Sequence, residues 1–319
     1  MKSFVVVTPT YNRAKQLVRL YESLLAQTLS YDLFDWFVVD DGSVDNTSDL
    51  ICELATVSPF KIIYHRKENG GKHTAWKYAV EILSGSKEYD YFVSIDSDDV
   101  LTEDALKVFL HHWKDIDQNS ENVNILNART KLAEGIDRPH KIYGNKDFIE
   151  DSYQNVTIKI GEQSEMITSF KVKDLNIYLN IPDDFWLSDK VKFFSENIIW
   201  ARNGRITKSR YIKQYLRLVY CDAGNQISNN TKKGRVDHLY NYIVGYKYFL
   251  SENLDYMLRY QKKSLLVDVI KYSAMCMLVG IPSGEAYDKL ELKLLKFMYV
   301  ALFPFSLLVV VAFNLRRLF

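Results

Sequence analysis

The sequence predicts an α/β fold in which a mostly parallel sheet carries helices on both faces. Over the first 115 residues, short apolar runs rich in β-branched and aromatic residues alternate with amphipathic helical segments, and the connections are short. A polar loop follows each apolar run. Because sheets of this kind bind ligands beyond the carboxyl ends of their strands, these loops are the candidate site.

The composition narrows the function classes. A hydrophobic share of 47% in 319 residues supports a full-sized core, and 41 basic against 40 acidic residues give a formal net charge of +1. Since no global field recruits nucleic acid, we expect no nucleic-acid partner, and any anionic ligand needs a local site. Cys52, Cys221 and Cys276 lack metal-ligand spacing, and their odd number favours a reducing compartment.

The first three strand–helix units follow one pattern. Phe4–Val7 is a continuous apolar run that ends at Pro9, and a helical pattern of apolar residues follows the loop. Trp36–Val39 repeats this order and runs into Asp40–Ser43, where Gly42 allows a sharp turn. A third strand is expected at 61–64, before the loop 69–72 and another amphipathic segment.

The fourth apolar run ends in three carboxylates. Tyr91–Ile95 leads into Asp96, Asp98 and Asp99. In an extended chain Asp96 and Asp98 face one side and Asp99 the other, which predicts a Mg²⁺ or Mn²⁺ site that also holds a diphosphate. The alternative is a solvated acidic turn before the next helix.

All four polar loops are expected at one edge of the sheet, since parallel strands end on the same side. Their motifs are V-T-P-T-Y-N-R, V-V-D-D-G-S-x-D-x-T, N-G-G-K and I-D-S-D-D, in this order. This succession resembles the nucleotide-binding half of the inverting family 2 glycosyltransferases of the capsule or surface-polysaccharide type. The resemblance covers about the first 115 residues and implies the GT-A fold, with a Rossmann-like sheet, and a UDP-linked sugar donor.

The resemblance also implies roles for individual residues. Pro9, Thr10 and Tyr11 would line the base and ribose, and Asp41 would accept a hydrogen bond from a uracil-type N–H. An ordinary strand-to-helix turn is the alternative for Thr10 and Tyr11. Asp40 is the ambiguous neighbour, because it can equally hold the turn through backbone N–H groups.

The diphosphate and metal roles fall on the last two loops. Lys72 would approach the diphosphate, although a solvated lysine at a helix start is the alternative. Asp98 would coordinate the metal, and Asp96 would contact the ribose or the water shell of the metal. The cofactor is therefore expected to be Mg²⁺ or Mn²⁺, acting on the departing nucleoside diphosphate.

The catalytic base is expected about a hundred residues later. Inverting transfer needs one base for the acceptor hydroxyl, and the family places an acid pair, E-D, at this distance. The matching residue is Glu196, followed here by Asn197, which departs from the pattern. A first-turn acid of a helix is the alternative for Glu196, and its rivals as base are Asp183, Asp184 and Asp189.

The chain is expected to divide into a donor half at 1–115, an acceptor half at 116–230 and a helical region at 231–319. In the acceptor half, Asn155–Ile160 alternates as a strand and Tyr215–Tyr220 is a further strand candidate. The loop at 222–230 resembles the closing loop on the acceptor side of capsule-type relatives.

The C-terminal region predicts membrane association. Residues 297–313 carry no charge and are nearly all apolar, with lysines before them and Arg316 and Arg317 after them. Tyrosines and basic residues crowd the segment before this tail, as at a lipid headgroup region. A short span and an in-plane insertion both stay open, and a buried core helix is the alternative.

These features together predict an enzyme that transfers a single sugar from a nucleoside diphosphate sugar to a surface-glycan acceptor, plausibly lipid-linked. Since nucleotide sugars are cytosolic, we expect the cytoplasmic face of the inner cell membrane. Two competitors stay open: a nucleotidyltransferase, which would need a glycine-rich first loop that Thr8–Asn12 lacks, and a non-catalytic nucleotide-sugar-binding membrane scaffold.

Overall fold

The predicted parallel sheet is present in a computed structural model of the chain. The structure describes residues 2–133, 142–162, 164–179, 197–220 and 239–318. These residues divide between two compact units, one of residues 2–133, 142–152, 161–162, 164–179 and 206–220, and one of residues 153–160, 197–205 and 239–318.

The sheet lies in the first unit, and its first four strands run parallel. In chain order the strands are β1 (Lys2–Thr10), β2 (Phe34–Asp40), β3 (Ile62–Arg66), β4 (Tyr89–Ser94), β5 (Val100–Leu101), β6 (Val123–Leu132), β7 (Phe148–Asp151), β8 (Met166–Lys171) and β9 (Lys208–Val219). Val6 of β1 pairs with Trp36 on one side and Val93 on the other. The spatial order is β3-β2-β1-β4-β8-β6-β9-β5, with β7 paired to β9. The predicted α/β class is confirmed.

The carboxyl ends of the early strands and of two later strands lie at one edge of this sheet. Strand β8 runs antiparallel to both β4 and β6, so β6 is parallel to β4, and β9 is parallel to β6. The carboxyl ends of β1–β4, β6 and β9 therefore lie on one side, which we call the carboxyl edge. This topology brings Arg217 near the end of β9 to the same edge as the loops of the first hundred residues.

Helices cover the sheet of the first unit. They are α1 (Ala14–Leu25), α2 (Thr47–Val57), α3 (Lys72–Leu83), α4 (Ala105–Asn119) and α5 (Asn176–Leu179). Helix α1 buries Leu17, Leu20 and Leu24 in the core, and α4 buries Trp113, whose ring stacks on Tyr91 at 4.9 Å between centroids. These apolar stripes fix where the loops between strands and helices emerge.

The strand predicted at Asn155–Ile160 is wrong. Residues Gln154–Ile160 form a π-helix, in which Val156 and Ile158 are buried. The buried side-chain amide of Gln154 donates to the carbonyl of Ala201 at 2.6 Å and to Asn253 Oδ1 at 3.1 Å. The alternating pattern is too short to decide between helix and strand, and packing within the second unit decides it.

The second unit is helical. Its helices are α6 (Asn197–Asn203), α7 (Leu239–Tyr260), α8 (Lys262–Leu278), α9 (Ser283–Asp288) and α10 (Lys293–Leu318). Over Lys293–Asn314, α10 has a mean hydropathy of 2.2, with 22% of that stretch buried, and it is long and apolar enough to cross a membrane. Pro304 lies inside it, and Phe297, Val300 and Leu308 are among its exposed apolar side chains.

Candidate functional site

The first two loops of the carboxyl edge are joined through Asn12. Its backbone lies in the left-handed region at φ +52°. Its N–H donates to Ser43 Oγ at 2.8 Å, and its Oδ1 accepts from the Val44 N–H at 2.8 Å. The side chain of Thr10 is buried, and its hydroxyl has no hydrogen-bond partner among the described residues. A buried, unpartnered hydroxyl beside an exposed Tyr11 fits the predicted nucleotide-lining role, which stays a prediction.

Asp40 holds the second turn. Its buried carboxylate accepts hydrogen bonds from the Ser43 N–H at 2.8 Å and from the Tyr64 hydroxyl at 2.6 Å. Of the two functions left open for Asp40, the structure therefore shows the turn-holding one.

Asp41 organises the loop 69–72, which we call the glycine loop. One carboxylate oxygen accepts from the Gly70 N–H at 3.0 Å and from Lys67 Nζ at 2.8 Å, and the other accepts from the Gly71 N–H at 2.7 Å. A carboxylate offers about four lone-pair sites, so one acceptor position is left for a further donor such as a base N–H. Binding of uracil by Asp41 stays a prediction, and the structure adds a loop-holding function.

Lys67 is a site residue that the sequence analysis missed. Besides Asp41, its ammonium donates to Thr74 Oγ1 at 2.9 Å and to its neighbour's carbonyl. It thus fixes Asp41 against the first turn of α3. A lysine two residues before the N-G-G-K motif is the available signal, but isolated lysines are usually solvated.

The acids Asp96–Asp99 form a turn, which we call the acid turn. Strand β4 ends at Ser94, and the Asp99 N–H donates to the Asp96 carbonyl at 3.2 Å. The extended geometry assumed in the sequence analysis is therefore wrong, and the alternation of faces does not apply. The turn directs each of the three carboxylates to a different cation.

Two of these ion pairs involve the predicted diphosphate and metal residues. Lys72 Nζ lies 2.6 Å from Asp96 Oδ1, and Arg13 Nη1 lies 3.1 Å from Asp98 Oδ2. Arg19 donates to the carbonyl of Asp98 at 2.7 Å, and its guanidinium stacks on the ring of Tyr220 at 3.6 Å. Burial opposes ionisation of Asp96, but Lys72, Arg217 and Arg13 outweigh it and lower the pKa of this carboxyl.

Asp99 faces a buried arginine. Its Oδ2 lies 3.5 Å from Nη1 of Arg217, whose Nη2 donates to Glu165 at 2.5 Å and whose Nε donates to Thr130 at 3.1 Å. Burial raises the pKa of Asp99 to about 8, although Arg217 acts in the opposite direction. Asp99 thus pairs with a third cation, and its exclusion from the metal site stays a prediction.

The donor chemistry of the acid turn fits a nucleotide-bound divalent cation. Among the described residues, no three His, Cys, Asp or Glu side chains gather as a metal cluster. Mg²⁺ bound with a nucleotide needs only one or two protein carboxylates, since phosphate oxygens and water complete its shell. Asp96 and Asp98 supply hard oxygen atoms at the carboxyl edge, so they suit such an ion.

The predicted base cannot be placed. Glu196, its rivals Asp183, Asp184 and Asp189, and the loop 222–230 all lie outside the described residues. Arg13, Arg19 and Arg217 were missed as site residues. Arg13 belongs to the first motif, so its place in that motif was an available signal. Arg217 had no such signal, because only the pairing of β5 with β9 brings it to the acid turn.

Comparison with known proteins gives relatives named for teichoic acid biosynthesis and for glycosyl transfer to poly(ribitol phosphate). The chain is 27% identical over 239 residues to the minor teichoic acid biosynthesis protein GgaB of Bacillus subtilis, covering 65% of this chain and 26% of that protein. It is 29% identical over 107 residues to the poly(ribitol-phosphate) β-N-acetylglucosaminyltransferase TarS of Staphylococcus aureus, covering 34% of this chain and 18% of that protein. The chain thus spans about a quarter or less of these relatives' length.

Comparison with solved structures gives the same fold. The structure of S. aureus TarS 1–349 in complex with UDP-GlcNAc matches with a TM-score of 0.56 and 16% identity, covering 94% of this chain and 87% of that one. At this identity the match supports the GT-A fold alone, and it confirms the predicted architecture. The sequence model of Glycosyl transferase family 2 matches residues 5–175, more than half of the chain. The chain therefore belongs to glycosyl transferase family 2.

Proposed function

We propose that the protein transfers one sugar from a UDP-linked donor to a surface-glycan acceptor. The observation that carries this proposal is the arrangement at the carboxyl edge, where the glycine loop lies beside the acid turn and its cations Lys72 and Arg13. This arrangement occurs in a chain of glycosyl transferase family 2. The structurally similar TarS domain was solved in complex with UDP-GlcNAc, which makes this the first donor to test.

The donor site uses residues of all four loops. Pro9, Thr10 and Tyr11 line the base and ribose, and Asp41 accepts the base N–H with its remaining lone pair. Lys72 would approach the diphosphate, Asp98 would hold Mg²⁺ or Mn²⁺, and Asp96 would contact the ribose or the water bound to the metal. When bound, the ion neutralises the charge that develops on the departing diphosphate.

The transfer step is an inverting displacement. A bond forms between the acceptor hydroxyl oxygen and the anomeric carbon as the bond from that carbon to the diphosphate oxygen breaks on the opposite face. Glu196 takes the proton of the acceptor hydroxyl, and UDP leaves as an anion. The electron pair of the broken bond stays with UDP.

The acceptor is a cell-surface polymer or its lipid-linked precursor. The relatives' names point to teichoic acid and poly(ribitol phosphate), and α10 exposes apolar side chains over a length that can reach across a bilayer. Anchoring at the cytoplasmic face of the inner membrane would keep the enzyme near such an acceptor at high effective concentration.

A donor-hydrolysis and transfer assay tests the activity. UDP release from UDP-GlcNAc is measured for the full chain in detergent, with a poly(ribitol phosphate) acceptor, with and without Mn²⁺. We expect release to require the ion and to fall about 1,000-fold in Glu196→Gln, because the base is lost. Glu53→Gln, which removes an exposed acid of α2, is the matched control. Full activity of Glu196→Gln contradicts the base assignment, whereas UDP binding without turnover by the native chain favours the scaffold alternative.

Membrane association has its own test. Removing residues 297–319 should move the chain from the membrane fraction to the soluble fraction of cell lysates, since most of the apolar surface of α10 goes with it. Recovery of the full-length chain in the soluble fraction without detergent contradicts the proposed localisation.

A further inference from the structure

We propose that Arg13 and Asp98 form an exchangeable ion pair, in which Arg13 leaves Asp98 for the diphosphate of the donor when Asp98 takes the metal. This inference rests on the proposed function and adds Arg13 to the donor site. It assigns Arg13 two opposite effects, as a competitor of the metal and as a ligand of the diphosphate.

The geometry supports an exchange because the pair lies at the predicted metal ligand and is not fully enclosed. Arg13 Nη1 is 3.1 Å from Asp98 Oδ2, and the two side chains are 11% and 16% exposed. Arg13 directly precedes α1, at the carboxyl edge, so its side chain starts beside the first loop. A guanidinium recognises phosphate oxygens as readily as carboxylate oxygens, since both present paired acceptors.

Arg19 holds the backbone of the acid turn independently of Arg13. Its Nη2 donates to the backbone carbonyl of Asp98 at 2.7 Å, and its guanidinium stacks on Tyr220. A metal ion recruits the carboxylate of Asp98 and leaves this carbonyl contact in place. Because Arg19 holds the backbone of the acid turn, Arg13 can depart without releasing the turn.

The charges balance before and after the exchange. Without ligands, Asp96 pairs with Lys72 and Asp98 pairs with Arg13, so the charges of these four side chains sum to zero. A divalent cation and a diphosphate carry charges of opposite sign and similar size. The charges of these four side chains therefore stay compensated when the two acids turn to the metal and the two cations turn to the phosphates.

The exchange makes a prediction that a purely structural pair does not. If Arg13 only held the acid turn, Arg13→Met would weaken metal binding and nucleotide binding together. If Arg13 competes with the metal, the same substitution removes that competitor from Asp98 and strengthens the binding of Mn²⁺ alone. It still weakens the binding of UDP, because the diphosphate loses a charged donor.

Two binding measurements on the full chain in detergent test this. Binding of Mn²⁺ alone is followed by the electron paramagnetic resonance signal of the free ion, and binding of UDP at saturating Mn²⁺ by titration calorimetry. For Arg13→Met we expect Mn²⁺ to bind about threefold more tightly and UDP about tenfold more weakly. Lys61→Met, which removes an exposed cation paired with Glu88 near the amino ends of β3 and β4, should change neither.

A reciprocal variant keeps the test independent of any folding defect at position 13. Asp98→Asn removes the acid and leaves Arg13 for the diphosphate, so UDP should bind about threefold more tightly without metal, while Mn²⁺ should bind more weakly. Arg13→Lys keeps the charge and should show the same opposite effects at smaller size.

The outcomes separate this inference from the proposed function. If the native chain binds neither UDP nor UDP-GlcNAc with Mn²⁺, the proposed function fails and the exchange fails with it. If the native chain binds UDP but Arg13→Met weakens Mn²⁺ and UDP alike, or leaves UDP binding unchanged, the exchange alone is overturned.

Discussion

Two groups of charged residues on the same sheet differ in how completely their cations are buried. Arg210 of β9 is 1% exposed and donates to Glu150 at 2.8 and 2.6 Å, to Asp115 at 2.6 Å and to Ser120 at 3.0 Å. At the carboxyl edge, the cations Arg13 and Lys72 keep 11% and 29% of their side chains exposed beside Asp98 and Asp96. The guanidinium of Arg210 is therefore enclosed by its partners, whereas the cations at the carboxyl edge stay accessible.

The position along one strand separates the two groups. Arg210 lies seven residues before Arg217 on β9, which is about 23 Å in an extended strand. Only the end of β9 reaches the carboxyl edge, where ligands of parallel sheets bind. We infer that the Arg210 group stabilises the fold and that the acid turn serves the ligand, and the following variants test this division in order of expected effect.

The largest effect is expected for Arg210→Met. Removing this buried guanidinium breaks its charged hydrogen bonds to Glu150 and Asp115, so the free energy of unfolding of the first unit should fall by about 3 kcal/mol. UDP affinity per folded molecule should stay unchanged. Urea unfolding followed by tryptophan fluorescence measures the first quantity, and calorimetry measures the second. Lys61→Met, which breaks a more exposed pair with Glu88 in the same unit, should cost less than about 1 kcal/mol.

The opposite result is expected for Asp98→Asn. Sugar transfer should fall about 100-fold, or about 2.7 kcal/mol in the barrier, because the metal loses a protein ligand. The unfolding free energy should change by less than it does in Arg210→Met, since asparagine keeps the shape of Asp98 and an oxygen that can accept from Arg13. A loss of stability as large as that of Arg210→Met would break the division between the two groups.

The sequence predicted the strands better than the partners of their ends. Apolar runs such as Phe4–Val7 and Tyr91–Ile95 dictate buried parallel strands locally, so the sheet and the placement of Asp41, Lys72 and Asp98 at one edge followed from them. Arg217 contacts Asp99 from more than a hundred residues away, through the pairing of Leu101 with Arg217. Strand register of this range leaves no local pattern in the sequence.

The next test uses the pH dependence of the unfolding free energy, which depends on His112 beside Arg210. Burial, together with the charge of Arg210, lowers the pKa of His112 from 6.5 to about 4. Between these values the unfolded chain binds a proton that the folded chain does not, so stability is present above pH 6.5 and is lost as the pH falls towards 4. From pH 7 to pH 5, the unfolding free energy should drop by about 2 kcal/mol more in the native chain than in His112→Phe. An equal drop in both chains would contradict a buried neutral His112.

The smallest effect is expected in the glycine loop that Asp41 organises. A Cβ at position 70 would lie 2.6 Å from Thr74 Oγ1 and 3.2 Å from Lys67 Nζ. Gly70→Ala must therefore push apart the Lys67–Thr74 contact that fixes Asp41, and UDP should bind about fivefold more weakly, about 1 kcal/mol. Gly284→Ala is the matched control, because nothing lies within 4 Å of its Cβ and alanine suits helix α9. Calorimetry with UDP distinguishes the two. Because the glycine loop adjoins the acid turn, Gly70→Ala should weaken UDP binding and leave the unfolding free energy nearly unchanged. This result would show that Lys67 and Asp41 serve ligand binding, as the acid turn does.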